Sequence, residues 1–461
     1  MTAGKGRLIA VSNRVGPIRD TPQAGGLAVA LVDALRERGG LWFGFGGKLS
    51  ANPREAVQFD SHEGLHTATI ELNNADYDGY YNGHANGCLW PLFHFRPDLV
   101  RYLREDYAAY LRVNERFADA LAPLLQDNDI LWIHDFHLIP LASMLRARGC
   151  QQRIGFFLHV PFPARDLLLT LPSHLQLMEQ FCAYDLIGVQ TAVHLERLHD
   201  CFERLLKLPR TSDGGAWQAP GRYLRTGAFP VGIDVETFAG FATQPRATRT
   251  ATRMQAELRG RVQLIGVDRL DYAKGLLRRL DAYERFLEQH PRAHGRVEYL
   301  QIAPISRGEV GAYKDFRKQM ELAAARINGG YSRYDWTPLR YLNSPLSRAT
   351  LAALYRASKI GFITPLRDGM NLVAKEYVAA QDPEDPGVLV LSQFAGAARQ
   401  MTAAVIANPY DSDAVADAVE TARVMPLEER RERHSELLRG LKAYDANRWQ
   451  HEFLSTLGKA A

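Results

Sequence analysis

Short apolar runs alternate with amphipathic stretches from one end of this 461-residue chain to the other. The apolar runs are rich in β-branched and aromatic residues and lack a period of two, which is typical of strands buried on both faces of a parallel sheet. This pattern predicts an α/β protein. The predicted strands are Leu8–Ser12, Ile130–His134, Ile154–Val160, Leu186–Gln190, Val262–Val267, Val297–Ala303, Ile360–Pro365 and Val388–Ser392.

The chain is long enough to predict two domains, because a single hydrophobic core stops growing at about 250–300 residues. The polar stretch Gln244–Thr252 is the predicted linker, since a new alternation of strands and helices begins at Val262. The predicted domains are therefore residues 1–242 and 243–461. The chain after about Asp413 is predicted to be helical, and its last helices are candidates for crossing back to the first domain. A small antiparallel insertion is predicted between Lys48 and Ala85.

Composition excludes several classes of protein. The 56 basic and 52 acidic residues leave a net charge of +4 without long basic runs, which disfavours a nucleic-acid partner. No apolar run reaches the length of a membrane span, and no signal peptide is evident. The four cysteines form no CxxC pair, which favours a reducing compartment without disulfides. A cytoplasmic enzyme with neither a nucleic-acid nor a membrane partner is expected.

The segment Pro365–Glu376, PLRDGMNLVAKE, follows a predicted strand and opens a predicted helix. A junction of this kind presents unpaired backbone N–H groups and the positive end of a helix dipole, which suits a diphosphate. Asp368 could accept hydrogen bonds from sugar hydroxyls, and Glu376 could reach a ribose diol. The alternative is an ordinary loop in which Glu376 is a solvated helix charge.

The segment Val267–Gly275, VDRLDYAKG, follows another predicted strand. Arg269 and Lys274 could stabilise the charge that develops on a departing nucleoside diphosphate. The alternative is that both side chains form surface salt bridges with Asp268 and Asp271.

Two predicted strands in the first half end in histidine and aspartate. His134 and His137 flank Asp135, and His159 ends the next strand, so all lie where ligands bind in open α/β sheets. A metal site is disfavoured because no further ligand stands at a suitable spacing. Asp135 is predicted to bind a sugar, while a core histidine is the alternative for His159.

The N-terminal region contains further candidates. Arg14 follows the first strand, and Gly25 and Gly26 open a helix, where a phosphate or sugar could approach the backbone. Aromatic side chains suit the apolar faces of sugars, although core packing is the alternative for all of them. These aromatic candidates are Trp42, Tyr80, Tyr81 and Trp90.

Taken together, these motifs resemble the trehalose-6-phosphate synthase family from about Leu8 to Pro409. The resemblance rests on SNR, AGGLA, GLWFG, YYN, LWP, WIHDFHL, GFFLHVPFP, RLDYAKG, APISRG and TPLRDGMNLVAKEYVAAQ. It implies a GT-B fold, with two Rossmann-like domains whose parallel sheets face each other across a cleft. It also implies transfer of glucose, with retention, from UDP-glucose or another nucleotide glucose to glucose 6-phosphate. No metal and no cofactor beyond the UDP-glucose co-substrate are implied, and a homo-oligomer is left open.

The resemblance assigns roles to residues of this sequence. The implied catalytic residues are Arg269, Lys274, Asp368 and His159. The implied donor-binding residues are Gly25, Gly26, Arg269, Lys274, Leu346, Leu372, Val373, Ala374, Lys375 and Glu376. The implied acceptor-binding residues are Arg14, Trp42, Tyr81, Trp90, Asp135 and Arg307.

The sequence departs from the family pattern at Ala273, where Ser is familiar, at Phe136 in place of Tyr, and in GFGG in place of GWSG. The last departure touches the acceptor side. Three alternatives therefore stay open: a glucosylglycerol-phosphate synthase, a synthase that joins cyclitols by a pseudo-glycosidic bond, and a non-catalytic sugar-phosphate sensor. The choice among UDP-, ADP- and GDP-glucose is also open.

Overall fold

The computed structural model describes residues 6–16, 31–32, 35–36, 39–305 and 311–459. The chain divides into two compact units, each an α/β structure built on its own sheet. Unit 1 comprises Met1–Pro230 and Asn447–Ala461, and unit 2 comprises Val231–Ala446. None of the described helices is long and apolar enough to cross a membrane.

Unit 1 contains a nine-stranded sheet in the order β3-β4-β2-β1-β5-β6-β7-β9-β8. Its strands are parallel except for the pairs β3/β4 and β8/β9. The pair β3/β4 confirms an antiparallel element within the predicted insertion, although β4 pairs in parallel with β2 and the segment from Asn74 onward is helical. The strands are β1 (Leu8–Arg14), β2 (Gly40–Leu49), β3 (Gln58–His62), β4 (Leu65–Leu72), β5 (Ile130–His134), β6 (Arg153–Phe157), β7 (Leu186–Val189), β8 (Trp217–Ala219) and β9 (Arg222–Ala228).

The helices of unit 1 include a π-helix, Asp78–Leu89, which is long for a type that is usually a single turn and is frequent at functional sites. The α-helices are α1 (Asn74–Tyr77), α2 (Trp90–Phe93), α3 (Arg104–Leu121), α4 (Leu141–Ala147), α5 (Arg165–Leu168), α6 (His174–Phe181) and α7 (Ala192–Arg204). Short 3₁₀ helices lie at Pro97–Leu99, Ala122–Leu124 and Phe136–Leu138.

Unit 2 contains a six-stranded, fully parallel sheet in the order β12-β11-β10-β13-β14-β15. The strands are β10 (Val262–Val267), β11 (Val297–Ile302), β12 (Leu339–Leu342), β13 (Ile360–Ile363), β14 (Val388–Ser392) and β15 (Val405–Ala407). The α-helices are α8 (Val235–Thr243), α9 (Pro245–Leu258), α10 (Leu276–Gln289), α11 (Gly311–Tyr331), α12 (Arg348–Ala357), α13 (Leu372–Ala380), α14 (Ser412–Val424) and α15 (Leu427–Ala443). Short 3₁₀ helices lie at Tyr272–Lys274, Pro291–Ala293 and Gly396–Arg399.

The predicted linker Gln244–Thr252 is wrong, because most of it lies in helix α9. Pro245 occupies the first turn of that helix, where its missing N–H costs nothing, and Ala247 and Ala251 are buried. The preceding helix, α8, lies in unit 2, where Phe238 contacts Tyr355 at a ring separation of 6.2 Å. The chain thus enters unit 2 at Val231, before the predicted position 242/243.

The final helix, α16 (Ala446–Gly458), carries Phe453, which packs on the sheet of unit 1. The Phe453 ring lies 5.0 Å from the Trp132 ring and 5.7 Å from the Phe157 ring. Gly155 and Gly188 make this approach feasible, because a Cβ at either position would lie within 3 Å of the Phe453 ring. Residues far apart in sequence therefore form one buried aromatic cluster.

Candidate active site

In unit 2, two loops leave the sheet side by side, because β10 and β13 are adjacent parallel strands. The first loop carries Lys274 and the second carries Asp368. Lys274 Nζ lies 2.5 Å from Asp368 Oδ2, and both side chains are largely buried. The structure therefore brings together two of the predicted catalytic residues, which are 94 residues apart in the sequence.

Asn371 connects this ion pair to helix α13. Its Oδ1 accepts a hydrogen bond from the amide of Ala374 at 3.0 Å, so it caps the helix, while its Nδ2 donates to Asp368 Oδ2 at 3.0 Å. Asn371 has a φ of +81°, a conformation that Asn tolerates better than most residues. Asn before a helix is a capping pattern, but its bond to Asp368 was not predicted from the sequence.

Gly275 allows the first loop to lie close to the second, because it has no side chain. Gly275 has a φ of +67°, and a Cβ there would lie 2.7 Å from the carbonyl oxygen of Thr364. On the same side, the amide of Leu366 donates to the carbonyl of Ala273 at 3.0 Å. Residue 275 must therefore be glycine, both for its conformation and for the close approach of the two loops.

The structure tests the alternative in which Arg269 and Lys274 form surface salt bridges with Asp268 and Asp271. Lys274 pairs with Asp368 rather than with a neighbour in its own loop. The buried carboxylate of Asp268 pairs instead with Arg279 at 2.8 Å, and Asp271 accepts from the amide of Ala273. Arg269 has an exposed side chain.

Helix α13 begins at this site and contains Lys375, which is buried, and Glu376, which is partly buried. Lys375 Nζ donates to the carbonyl of Val231 at 2.7 Å and to Gln400 Oε1 at 2.8 Å, so its side chain has a structural role. Burial lowers the pKa of Lys375 to about 7. Burial also raises the pKa of Glu376 to about 7, although the Arg348 guanidinium opposes that rise. Among the other predicted donor residues, Ala374 is buried and Leu346, Leu372 and Val373 are partly buried.

In unit 1, strand β5 ends at a strained residue. Asp135 has a φ of +72° and a ψ of 165°, a region that is sparsely populated by residues other than glycine. Its Oδ1 accepts a hydrogen bond from the amide of His159 at 3.2 Å. Strain of this kind is concentrated at ligand sites, so the geometry supports the predicted sugar-binding role of Asp135.

His159 and His134 form a dyad behind Asp135. His134 Nδ1 lies 3.0 Å from His159 Nε2, and the two rings are stacked. Burial lowers the pKa of His159 to about 3 and lowers the pKa of His134 well below its usual value. Both rings are therefore neutral near pH 7. The partner role of His134 was not predicted from the sequence.

A row of ring contacts connects the predicted acceptor aromatics. Tyr81 stacks between Tyr77 at 5.0 Å and His137 at 5.7 Å. Phe136 then contacts both His137 at 4.0 Å and Trp90 at 5.8 Å. Tyr81 is half-buried, whereas Trp90 is only 5% exposed, so most of the Trp90 surface serves packing.

Trp42 lies near the start of β2, and Arg14 ends the adjacent parallel strand β1. Trp42 is 4% exposed, and its Nε1 donates to Ser12 Oγ at 2.8 Å, which in turn donates to the carbonyl of Arg14 at 3.0 Å. The Arg14 side chain is exposed and lies over Gly47, where a Cβ would come within 2.7 Å of Arg14 Nη2. Gly47 belongs to the GFGG segment.

Three predicted site residues, Gly25, Gly26 and Arg307, lie outside the described residues. Within the described ranges, no group of three or more His, Cys, Asp or Glu side chains is arranged to hold a metal ion. No direct signal in the sequence indicated Arg279, because a single arginine within an amphipathic helix is normally solvated.

Comparison with known proteins now adds to this geometry. The sequence profile of glycosyltransferase family 20 matches residues 12–459. The chain belongs to glycosyltransferase family 20. A trehalose-6-phosphate synthase from Cronobacter sakazakii is 49% identical to this family 20 chain over 452 residues, which cover 98% of this chain and 95% of the relative.

Two solved structures resemble this glycosyltransferase closely. A UDP-forming α,α-trehalose-phosphate synthase from Burkholderia xenovorans, in complex with glucose-6-phosphate, is 46% identical with a TM-score of 0.94, covering 98% of this chain and 100% of that chain. A structure described as trehalose-6-phosphate from E. coli bound with UDP-2-fluoro glucose is 48% identical with a TM-score of 0.94, covering 98% and 99%. The family 20 chain has the GT-B fold class that its sequence predicts.

Proposed function

We propose that this chain transfers glucose, with retention, from UDP-glucose to glucose 6-phosphate, giving α,α-trehalose 6-phosphate and UDP. The observation that carries the proposal is its full-length similarity to an enzyme solved with glucose-6-phosphate, at 46% identity and a TM-score of 0.94. The structure with UDP-2-fluoro glucose matches with the same TM-score. Two relatives that are 46% and 48% identical to this chain have thus been solved with glucose-6-phosphate and with UDP-2-fluoro glucose, respectively.

On the donor side, Lys274 and Arg269 stabilise the departing diphosphate. The first amides of helix α13 have no intrahelical acceptor and add partial positive charge. Asp368 accepts hydrogen bonds from hydroxyl groups of the donor glucose, and its ion pair with Lys274 holds that side chain in place. Glu376 accepts hydrogen bonds from the ribose. The preorganised pair of Lys274 and Asp368 supports these roles.

On the acceptor side, Arg14 and Arg307 hold the 6-phosphate, because a guanidinium matches a phosphate with paired hydrogen bonds. Asp135 and Tyr81 bind the sugar ring. Trp42 is buried, and its role is to position the end of strand β1 that carries Arg14. It does so through the hydrogen bonds from Trp42 to Ser12 and from Ser12 to the carbonyl of Arg14.

The chemical step breaks the bond between the anomeric carbon of the donor and the diphosphate oxygen. A new bond forms from that carbon to the anomeric oxygen of glucose 6-phosphate, on the same face. The leaving phosphate oxygen takes the proton of the incoming hydroxyl, so no nucleophilic carboxylate is required. The hydrogen bonds from Lys274 and Asn371 to Asp368 Oδ2 support a binding role for this carboxylate, because they reduce its nucleophilicity.

Product analysis tests the proposal. The purified enzyme is incubated with UDP-, ADP- or GDP-glucose and with glucose 6-phosphate, glycerol 3-phosphate, a cyclitol phosphate or unphosphorylated glucose. Trehalose 6-phosphate formed from UDP-glucose and glucose 6-phosphate is the expected product, with glucose a very poor acceptor. A faster reaction with glycerol 3-phosphate or a cyclitol phosphate would contradict the acceptor assignment, and absence of turnover would favour a sensor.

We also propose that the reaction takes place in the cytoplasm without a metal ion or other cofactor. The four cysteines, Cys88, Cys150, Cys182 and Cys201, are free thiols, which supports a reducing compartment. The cationic groups of the donor site support metal independence, because they supply positive charge at the leaving group.

A further inference from the structure

A fully buried arginine lies beneath the two loops of the donor site. Arg279 is on helix α10 and is 1% exposed, and its partner Asp268 directly follows the β10 strand. Arg279 Nη1 lies 2.8 Å from Asp268 Oδ2, so the charge of the guanidinium is compensated in the core. A buried ion pair is costly to desolvate and gives weak evidence for stability as such, so its position calls for another explanation.

The other hydrogen bonds of Arg279 give that explanation. Its Nε donates to Thr364 Oγ1 at 3.1 Å, and Thr364 directly follows β13, before the loop of Asp368. Its Nη2 donates to the carbonyl oxygen of Lys274 at 3.3 Å. One planar guanidinium therefore connects the backbone of Lys274 with the base of the loop that carries Asp368.

The strands beneath the loops leave room for this side chain. Arg279 Nη1 also donates to Gln301 Oε1 on β11 at 3.2 Å. At Gly266 on β10, a Cβ would lie 2.7 Å from Gln301 Oε1 and 2.9 Å from Arg279 Nη1. The Arg279 fork thus contacts β10, β11 and the end of β13, which are three adjacent strands of the sheet.

We propose that Arg279 is a positioning residue of the donor site, which sets the place of Lys274 relative to Asp368 and thereby the recognition of the nucleoside diphosphate. The proposal rests on the function proposed above. Lysine cannot replace this arginine, because an ammonium is a point charge and cannot direct hydrogen bonds to four separated acceptors in one plane.

The test compares the binding of UDP and uridine by calorimetry in Arg279→Lys and in a matched control, Arg278→Lys. Arg278 is the exposed neighbour on the same helix. We expect Arg279→Lys to reduce the preference for UDP over uridine by about tenfold, the middle of the range for residues that share a network. Arg278→Lys should keep the wild-type preference, and the KM for glucose 6-phosphate should change little in both variants.

A double-mutant cycle shows whether Arg279 acts through Lys274. In a Lys274→Ala background, Arg279→Lys should change the UDP preference by less than about twofold. An equal loss of UDP and uridine binding, or a full effect in the Lys274→Ala background, would overturn the proposal. A wild-type enzyme that does not prefer UDP over uridine would instead refute the proposed function.

Thr364→Val is the second variant, in case Arg279→Lys fails to fold. It removes one acceptor of the guanidinium and keeps the volume of the side chain. We expect it to weaken the preference for UDP in the same direction, by a smaller factor. An unchanged UDP preference in a folded Thr364→Val protein would count against the positioning role.

Discussion

The ion pair between Lys274 and Asp368 has a direct consequence for catalysis. Lys274→Ala removes the cation that stabilises the leaving diphosphate, so we expect turnover to fall by about 100- to 1,000-fold, or roughly 3–4 kcal/mol. Steady-state release of UDP measures it. Lys359→Ala is the control, because Lys359 also pairs with an aspartate, Asp385, in unit 2 but outside the site. Near-normal turnover of a folded Lys274→Ala protein would contradict the assignment.

Lys375 makes the stability of the protein depend on pH. Burial lowers its pKa to about 7, so between about pH 7 and 10 the unfolded chain binds a proton that the native chain does not. The free energy of unfolding attributable to this group therefore rises with pH, by up to about 1.4 kcal/mol per pH unit. We expect Lys375→Met to remove this slope in denaturant titrations from pH 7.5 to 9.

The control for that measurement is Lys442→Met, since the Lys442 side chain is 52% exposed. This variant should follow the wild-type pH dependence. If Lys375→Met also follows the wild-type pH dependence, Lys375 is protonated in the native state and the prediction is wrong.

The start of helix α13 contributes to both the stability of the fold and catalysis. Asn371→Ala loses both the cap and the residue's tolerance of a positive φ, so we expect a loss of about 1–2 kcal/mol in unfolding free energy. Asn371→Gly keeps the backbone conformation and should lose only a few tenths of a kcal/mol. Both should lower turnover, because both remove the amide that holds Asp368. Wild-type turnover in Asn371→Gly would show that this contact is dispensable.

The end of strand β2 is expected to influence the acceptor site. Gly47→Ala places a methyl group against the Arg14 guanidinium, so the KM for glucose 6-phosphate should rise while that for UDP-glucose stays the same. Gly39→Ala is the matched control: Gly39 also has a positive φ, but no atom would lie within 4 Å of its Cβ. An equal rise in both variants would indicate backbone strain rather than displacement of Arg14.

The elements that the sequence predicts well are those whose signal is local. All eight predicted strands are present, three with the predicted ends and five with shifted ends, because a buried parallel strand requires a continuous apolar run. The linker prediction failed because Gln244–Thr252 is polar in composition, whereas only its small residues are buried in helix α9. The π-helix Asp78–Leu89 could not be predicted, since its three glycines and two asparagines are typical of turns.

Part of the candidate site was predictable, because some of its residues also have a local signal in the sequence. Lys274 and Asp368 follow recognisable strands, and the structure shows that these strands are adjacent and parallel. The role of Arg279 and the pairing of His134 with His159 were not predicted, because both depend on partners that are distant in sequence. The predicted aromatics were ambiguous, since Trp42 and Trp90 serve packing and could equally have faced a sugar.

At the scale of the whole molecule, the positive charge of the donor site leads us to expect catalysis without a metal ion. Arg269, Lys274 and the start of helix α13 together supply the charge that a divalent cation provides in other transferases. Turnover should survive dialysis against EDTA. The same preparation with added Mg²⁺ or Mn²⁺ is the control, and a loss of activity that either ion restores would contradict the expectation.

The return of the chain to unit 1 also governs the order in which the protein can mature during synthesis. The ribosome makes all of Val231–Ala446 before it makes the helix whose Phe453 covers Trp132 and Phe157. A nascent chain that has completed every strand of unit 1 therefore still exposes this aromatic surface to solvent. Unit 2 can acquire its native state during translation, whereas unit 1 must wait for its last helix. Trp132 and Phe157 thus remain without their native covering until that helix emerges.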